Sequence, residues 1–466
     1  MDKYYFVGIG GIGMSALARY FLNEEAMVGG YDLRQTNLTD ALEKEGAMVN
    51  YSDTVDVIPS AFRSSDTVVI YTPAIPKDSV QMAFFHSVGC KILKRSEALG
   101  LISSQKKALC VAGTHGKTTT STLLAHIMKE SRIGCSAFLG GISNNHKTNL
   151  LLSDSSDFVV VEADEFDRSF LRLNPYMSII TSADPDHLDI YGTEKEYRKA
   201  FEEYTSLIRE GGVLLLKRGV EVSPKLREGV SLYTYAMGDM TADFYSHDIS
   251  IEDGRLFFSW HYPKITGMTD GGDIRVELGV PLMVNVENAT SAMALALLCG
   301  VSTDEIKNSV ASFRGVERRF DRVLDTKRFV LIDDYAHHPK EIEASVGSVR
   351  QLYPKEKILG IFQPHLYTRT RDFYKEFAES LSSLDEIILL NIYPARELPI
   401  DGVSSQMIAD AITERNAEKK VSVVDKELLE DFLKNSMTDC RIVLMLGAGD
   451  IDKKVLSVKH LLEERC

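Results

Sequence analysis

An α/β fold built from three successive units is what this sequence predicts, and three observations predict it. Short apolar runs that suit strands buried on both faces alternate with stretches of helical spacing along the chain. Two of those runs pass through glycine-rich turns straight into helices. The length of 466 residues is too great for one core and suggests roughly two to four domains. A hydrophobic fraction of 44% beside 26% charged residues is that of an ordinary globular chain. The net charge of −14 argues against nucleic acid or an anionic membrane as the main partner, so local loops have to hold any phosphate-bearing ligand. Cys90, Cys110, Cys135, Cys299, Cys440 and Cys466 include no C-x-x-C pair, which suits reduced thiols better than disulfides or zinc. No apolar run approaches the ~18 residues of a membrane span, and the start has no signal-peptide pattern, so a cytoplasmic location is expected.

The first unit opens with a strand at 4–7, the turn Gly8-Ile-Gly10-Gly11-Ile-Gly13 and a helix at 14–22. This is G-x-G-x-x-G in a strand–turn–helix setting, the mark of a Rossmann-like unit. Its glycines let a diphosphate approach the N-terminus of the helix. Asp32 ends a second strand (27–31), about 20 residues beyond, where such units place an acid on a ribose hydroxyl. The alternative is that these glycines serve tight packing alone. A further strand at 67–71 leads into Thr72-Pro-Ala-Ile-Pro76, and a polar joint at 103–105 closes a domain of residues 1–104.

The second unit, 105–321, holds the stretch on which function turns. A strand at 108–112 runs into Gly113-Thr114-His115-Gly116-Lys117-Thr118-Thr119 and a helix at 118–130. The N–H groups of such a loop and the positive end of the helix dipole point at an anion, and Lys117 adds a point charge. The Thr118 hydroxyl is placed for magnesium on a nucleotide. A P-loop ATPase-like cradle on a parallel sheet follows, with ATP the expected nucleotide. Val111 stands where the usual G-x-x-x-x-G-K-[ST] has its first glycine. Lys117 is expected to meet phosphate and to pack against nothing. A strand at 158–161 ends in Glu162, and one at 177–181 precedes Asp184-Pro-Asp186-His187-Leu-Asp189. Both lie at the C-terminal strand edge, where open α/β sheets bind ligands. Alone, such an acid reads as a solvated cap and such a histidine as a polar turn. Together with Thr118 they favour a magnesium site of Thr118, Glu162 and His187. The stretch 213–279 is less helical, with strand-like pieces at 214–217 and 256–260, and Asn285-Val-Glu-Asn288 opens an alanine-rich helix at 289–299.

The third unit, 322–466, follows Arg318-Arg319-Phe320. Strands at 329–332, 357–362, 386–390, 421–424 and 441–446 alternate with helical patterns such as 373–381 and 405–412, a second Rossmann-like alternation.

In order and spacing, these motifs resemble the Mur ligases of bacterial peptidoglycan synthesis over nearly the whole chain. The short G-T-x-G-K-T loop of that family matches 113–118 and accounts for the missing glycine. Gly8-Ile-Gly-Gly-Ile-Gly-Met14-Ser15 is similar to the UDP-sugar loop of its alanine-adding branch. So are Glu162-Ala-Asp-Glu165, Asp186-His-Leu-Asp189, Asp333-Asp-Tyr335 with His337-His-Pro339, and Phe362-Gln-Pro-His365 with Tyr367-Thr-Arg-Thr370. Leu446-Gly-Ala-Gly-Asp450 fits as well. The resemblance implies a UDP-sugar domain, an ATPase domain and an amino-acid domain, in that order. ATP would phosphorylate the lactyl carboxylate of UDP-N-acetylmuramate, and the amine of L-alanine would attack the acyl phosphate. It further implies that Gly8, Gly10, Gly11, Gly13, Met14, Ser15 and Asp32 bind the UDP-sugar. Asn285 and Asn288 would lie near adenine, Asp334 near ribose and Arg319 near the phosphates held by 113–119. His337 and Arg369 would hold the amino acid, completing a catalytic set with Lys117, Glu162 and His187.

Three positions depart from the family pattern. Phe201 stands where related ligases carry a modified lysine, so no carbamylated lysine is expected. Leu366 follows His365 where many relatives are basic, which removes a possible cation from the acceptor carboxylate. Val284 replaces a histidine that often precedes the adenine-side asparagine, so looser base recognition is expected. Within the family, the rival is a recycling ligase that attaches a whole tripeptide to the same sugar. An NAD-dependent oxidoreductase would leave the cradle without a role. A GTPase would need an Asn-Lys-x-Asp string, which the sequence lacks. A UDP-sugar sensor would not need Lys117.

Overall fold

The computed structural model describes residues 2–186, 188–252, 254–395, 397–436 and 439–465. His187, expected as a metal ligand, and Cys466 lie outside the described residues. The strands form three sheets. In the first, Met48–Asn50, Met27–Tyr31, Lys3–Val7, Val68–Tyr71 and Lys91–Lys94 lie side by side, every neighbouring pair parallel. The helix Ile12–Asn23 follows directly on the glycine turn.

The second sheet has ten strands. Its centre is Lys107–Ala112, parallel to Phe158–Ala163 on one side and Pro175–Ile180 on the other. Residues 108–112 and 159–161 are wholly buried, which is why they read as unbroken apolar runs instead of alternating ones. Val213–Lys217, Ser231–Met237 and Phe244–Glu252 extend the sheet in parallel, and Arg255–Tyr262 and Gly272–Leu278 complete that side. Ser136–Phe138 and the antiparallel Leu150–Leu151 finish the other.

The third sheet runs Asp321–Asp325, Val330–Asp334, Ile442–Leu446, Ile358–Phe362, Glu386–Leu390 and Lys420–Val424. Its first pair is antiparallel and the rest are parallel. The chain divides into two compact units. One comprises Met1–Ser250, Phe257–Gly279 and Val284–Phe313; the other comprises Ile251–Leu256, Val280–Met283 and Arg314–Cys466. No helix among the described residues is long and apolar enough to cross a membrane.

Three local differences from the sequence reading have physical causes. The alanine-rich helix begins at Met283, not at 289, because the asparagines of its first turns interrupt the apolar spacing without interrupting the backbone. The helix Tyr367–Leu381 starts six residues before the expected 373, and Phe373 carries a non-helical φ of −125° at the point where apolar periodicity sets in. The weakly patterned stretch 213–279 holds five strands, several of them half-exposed and therefore poor in apolar signal.

Candidate active site

Strand register places the first group of residues. Ala112 pairs with Ala163 on one flank and with Ile180 on the other, so Gly113, Asp164 and Thr181 leave the sheet at one level. Gly113 (φ 136°) and Gly116 (φ 79°) adopt backbone angles that L side chains avoid. Space forbids side chains there as well. A Cβ on Gly113 would collide with Thr181 Oγ1, and one on Gly116 would stand 2.8 Å from Asn288 Oδ1. The helix Lys117–Glu130 begins at Gly116 with no side chain capping it among the described residues. Its first N–H groups therefore face the loop, as an anion-binding helix start requires.

Lys117 does not stand free, contrary to the expectation that it packs against nothing. Its Nζ donates to the Gly113 carbonyl at 2.7 Å and to both oxygens of Glu165 at 2.9 and 2.6 Å. Glu165 is 2% exposed, and burial raises its carboxyl above the usual carboxylate range while Lys117 pulls it back. Around this pair, Tyr191 donates its hydroxyl to the Glu165 carbonyl. Thr114 Oγ1 lies 2.7 Å from the Asp184 carbonyl and 2.8 Å from the Tyr197 hydroxyl. The His115 amide donates to Ser182 Oγ at 2.9 Å, its side chain is exposed, and Thr119 lies in the first helical turn. Phe201 is fully buried, with its ring 5.1 Å from Phe170 and 5.3 Å from Tyr197, so packed aromatic rings fill that position.

Thr118 Oγ1 donates to Glu162 Oε1 at 3.2 Å. A hydroxyl and a carboxylate so close are the hard oxygen donors magnesium prefers. Gly140 lies against this carboxylate so closely that a Cβ there would collide with Glu162 Oε2. Asn285 and Asn288 are buried and linked, Nδ2 of Asn288 donating to Oδ1 of Asn285 at 3.1 Å. Asn288 abuts Gly116 and so backs the cradle, while Val284 is 55% exposed.

The first sheet contributes to the same space. Gly8 has a φ of 93°, and the Gly10 amide donates to Asp32 Oδ2 at 2.8 Å, so Asp32 holds the glycine loop itself. Ser15 is buried, and Asn149 Nδ2 donates to its Oγ at 2.9 Å and to the Ile12 carbonyl at 2.6 Å. A cavity of about 250 Å³ is lined by Gly11, Gly13 and Met14 on one side and by Gly140, Glu162 and Asp164 on the other. Arg95 also lines it, with Nη2 3.2 Å from Asp164 Oδ2. A second cavity, of about 640 Å³, is lined by Tyr71, Lys77, Lys94 and Phe166 among others, and Lys94 pairs with Asp167 at 3.0 Å. Sequence reasoning missed Lys94, Arg95 and Asp164. The signal was present: Lys94 ends the fifth strand of the first sheet and Arg95 opens the helix that follows, at the C-terminal edge where parallel sheets bind ligands.

The other compact unit brings together a second group. Arg318 (φ 61°) and Phe320 (φ 50°) both adopt left-handed backbone angles around Arg319. The guanidinium groups of Arg318 and Arg319 lie over the Tyr335 ring at 5.0 and 5.3 Å. Arg318 also donates to the Gly447 carbonyl and faces Asp333 at 3.5 Å. Asp333 is 3% exposed, and burial pushes its carboxyl up to about 7 against the pull of Arg318. Asp334 Oδ1 accepts the Ala336 amide at 3.3 Å. His337 Nδ1 lies 3.0 Å from the Tyr335 carbonyl and 3.3 Å from Glu341, two acceptors that place the ring proton on Nδ1. Burial lowers the pKa of His337, which favours the neutral ring with an unprotonated Nε2. His337 and His365 meet edge to face at 5.8 Å, and His365 stacks on Tyr393 at 5.6 Å. Burial, with His337 and Arg369 nearby, pushes His365 down to about 4. His365 Nδ1 and Arg369 Nη1 are buried and have no hydrogen-bond partner among the described residues. Leu366, between them in sequence, has a φ of 72° and a ψ of 137°, a strained setting for a leucine. His338 stands at the start of the helix Pro339–Leu352 against Phe373, and Glu341 accepts its amide, a structural post.

A glycine cradle at a helix start, a lysine held on a buried glutamate and a pair of hard oxygen donors beside them belong to the nucleotide-dependent α/β enzymes that handle phosphate. Comparison with known proteins narrows that class. The "Mur ligase family, catalytic domain" profile matches residues 3–107, "Mur ligase middle domain" matches 111–296, and "Mur ligase, glutamate ligase domain" matches 318–449. The chain is 57% identical to a UDP-N-acetylmuramate–L-alanine ligase of Porphyromonas gingivalis, with all of both chains covered. It is 54% identical to one from Parabacteroides distasonis, covering 98% of this chain and 96% of the other. The crystal structure of UDP-N-acetylmuramate–alanine ligase from Thermotoga maritima superposes with a TM-score of 0.80 at 28% identity over the whole of both chains. A murein peptide ligase from Psychrobacter arcticus shares the fold, with a TM-score of 0.68 at 19% identity over 99% of each chain. The chain belongs to the Mur ligase family.

Proposed function

We propose that this protein joins L-alanine to the lactyl carboxylate of UDP-N-acetylmuramate, using ATP, in the cytoplasmic synthesis of peptidoglycan precursors. The observation that carries the reading is the cavity in which Gly11, Gly13 and Met14 face Glu162 and Asp164. A sugar-type glycine loop and the edge of a nucleotide cradle open onto one space. The names of relatives at 57% and 54% identity support the same reading. Residues 1–104 take the UDP-sugar, 105–321 take ATP and 322–466 take alanine.

Two anions must meet for phosphate to pass from ATP to a carboxylate, so the reaction depends on fixed positive charge. Lys117 supplies it at the cradle, with Glu165 holding the ammonium in place until phosphate oxygens compete for it. Arg95, in the shared cavity, steers the lactyl carboxylate. Thr118 and Glu162, with His187, would hold magnesium, which neutralises phosphate oxygens when bound. Asn288 backs the loop, Asn285 supports it toward the base, and Arg319 and Asp334 serve the nucleotide from the third domain. Arg369 grips the alanine carboxylate, and His337 Nε2 takes the proton from the amine. The amine then attacks the acyl carbonyl and phosphate leaves.

The test is phosphate release from ATP, with the amide identified by mass. Release is expected only when UDP-N-acetylmuramate and L-alanine are both present, with glycine and serine poorer. Discrimination against glycine should be small, since one methyl group is worth ~1–3 kcal/mol. Faster turnover with the cell-wall tripeptide than with alanine would assign the protein to recycling instead.

A further inference from the structure

The helix that starts at the cradle carries a second constellation at its far end. His126 and Glu130 are one turn apart on Lys117–Glu130 and so project from one side of it. His146 arrives from a tight turn in which Lys147 N donates to the Ser143 carbonyl at 2.7 Å and Ser143 N to the Thr148 carbonyl at 3.0 Å. One ligand atom from each of His126, Glu130 and His146 falls within 4.8 Å of the others.

Hydrogen bonds orient the buried member. His126 Nε2 lies 3.0 Å from Ser312 Oγ, and that hydroxyl donates its own proton to the Ser309 carbonyl at 3.1 Å. Ser312 Oγ is thus an acceptor, the proton of His126 sits on Nε2, and the Nδ1 lone pair faces His146 Nε2 at 3.2 Å. That arrangement, one ring nitrogen fixed by an outer acceptor and the other turned toward a shared point, is how metal-binding imidazoles are held. The separation of 3.2 Å is close to the ~3.3 Å edge of a tetrahedron with metal–nitrogen bonds of ~2.0 Å. Glu130 is exposed, and its side chain is long enough to swing onto the same point. Two imidazoles with one carboxylate suit a zinc-class ion, whereas the oxygen pair Thr118 and Glu162 suits magnesium.

We propose that His126, Glu130 and His146 form a second metal site, for a zinc-class divalent cation, that pins the 140–149 segment to the cradle helix. The segment matters because its two ends touch working parts. Gly140 lies against Glu162, and Asn149 holds Ser15 and the Ile12 carbonyl of the glycine loop. An ion there stiffens the support of both seats without entering either.

The full-length protein, stripped with a chelator and returned to excess magnesium, is titrated with zinc against a chromophoric chelator and with cobalt by visible absorption. One equivalent of each is expected, with an intense tetrahedral cobalt band. His146→Ala should weaken zinc uptake at least 30-fold and abolish the band. Glu130→Gln, at an exposed side chain with no role in the core, should weaken uptake in the same direction. Equal zinc and cobalt binding by wild type and both variants overturns the site and leaves a histidine–histidine hydrogen bond in its place.

Discussion

The cradle and the histidine–arginine cluster of the third sheet satisfy their cations in opposite ways. Lys117 is fully engaged, with a buried carboxylate on both of its oxygens and a loop carbonyl behind it. Arg369 keeps a buried Nη1 without a partner among the described residues, beside a His365 ring in the same condition. A cation that is already satisfied belongs to the fold as well as to the ligand. One left unsatisfied belongs to the ligand alone, and its desolvation is a standing cost that binding removes. Lys117 is therefore expected to matter for both stability and rate, and Arg369 for substrate binding without stability.

Lys117→Ala tests the first half and carries the largest effect. Activity should fall by roughly a hundredfold to a thousandfold, about 3–4 kcal/mol. Stability should fall too, by roughly 3–5 kcal/mol, because Glu165 is left buried and alone. Adding Glu165→Gln should restore much of the stability in denaturant melts and none of the activity. A single variant as stable as wild type would break the comparison.

Asp333 separates fold from ligand in the second region. Its carboxyl titrates at about 7 when folded, against 3.8 for an ordinary aspartate. The folded chain thus holds a proton that the unfolded chain has released across that window. Stability contributed here is greatest below pH ~4, falls as pH rises toward 7 and is flat above it. Asp333→Asn should remove this slope from thermal melts between pH 4.5 and 8, although Arg318, Asp321, Asp334 and Asp452 still surround the position. An unchanged slope would mean that Asp333 is ionised throughout.

Arg369→Ala should raise the alanine KM by roughly tenfold to a hundredfold, from the loss of a charge-assisted pair worth ~1.5–3 kcal/mol. KM for ATP and UDP-sugar should hold, and melting should not fall. A drop in stability like that of the lysine variant would erase the contrast. The smallest effect belongs to Leu366→Gly. Glycine tolerates the backbone angles that leucine does not, so stability should rise by about 1 kcal/mol while alanine binding weakens. A loss of stability would show that the leucine side chain contributes more than its backbone costs.

How much of the molecule is legible in its sequence follows from distance along the chain. The cradle is readable because strand, loop, lysine and helix are contiguous, and glycine spacing states the backbone angles directly. Glu165 sits in a recognisable motif, yet its pairing with Lys117 spans 48 residues and depends on how far Phe158–Ala163 runs in register. The link from Asn149 to Ser15 spans 134 residues, and no local pattern announces it. The bond from the Gly10 amide to Asp32 spans 22 residues and is likewise set by strand pairing, not by local spacing. Leu366 stands out in the sequence for the charge it lacks. Its unusual backbone angle is invisible there, since leucine is the last residue composition would place at such a position.

Phe201 ties the protein's chemistry to its surroundings. A carbamate on lysine exists only while dissolved carbon dioxide keeps reacting with a neutral amine, so an enzyme relying on one titrates with the gas. Here the position is a hydrocarbon ring locked between Phe170 and Tyr197. Turnover should be the same in bicarbonate-free, degassed buffer as in air-equilibrated buffer, so that cell-wall precursor supply at this step is indifferent to how much carbon dioxide a cell respires or fixes.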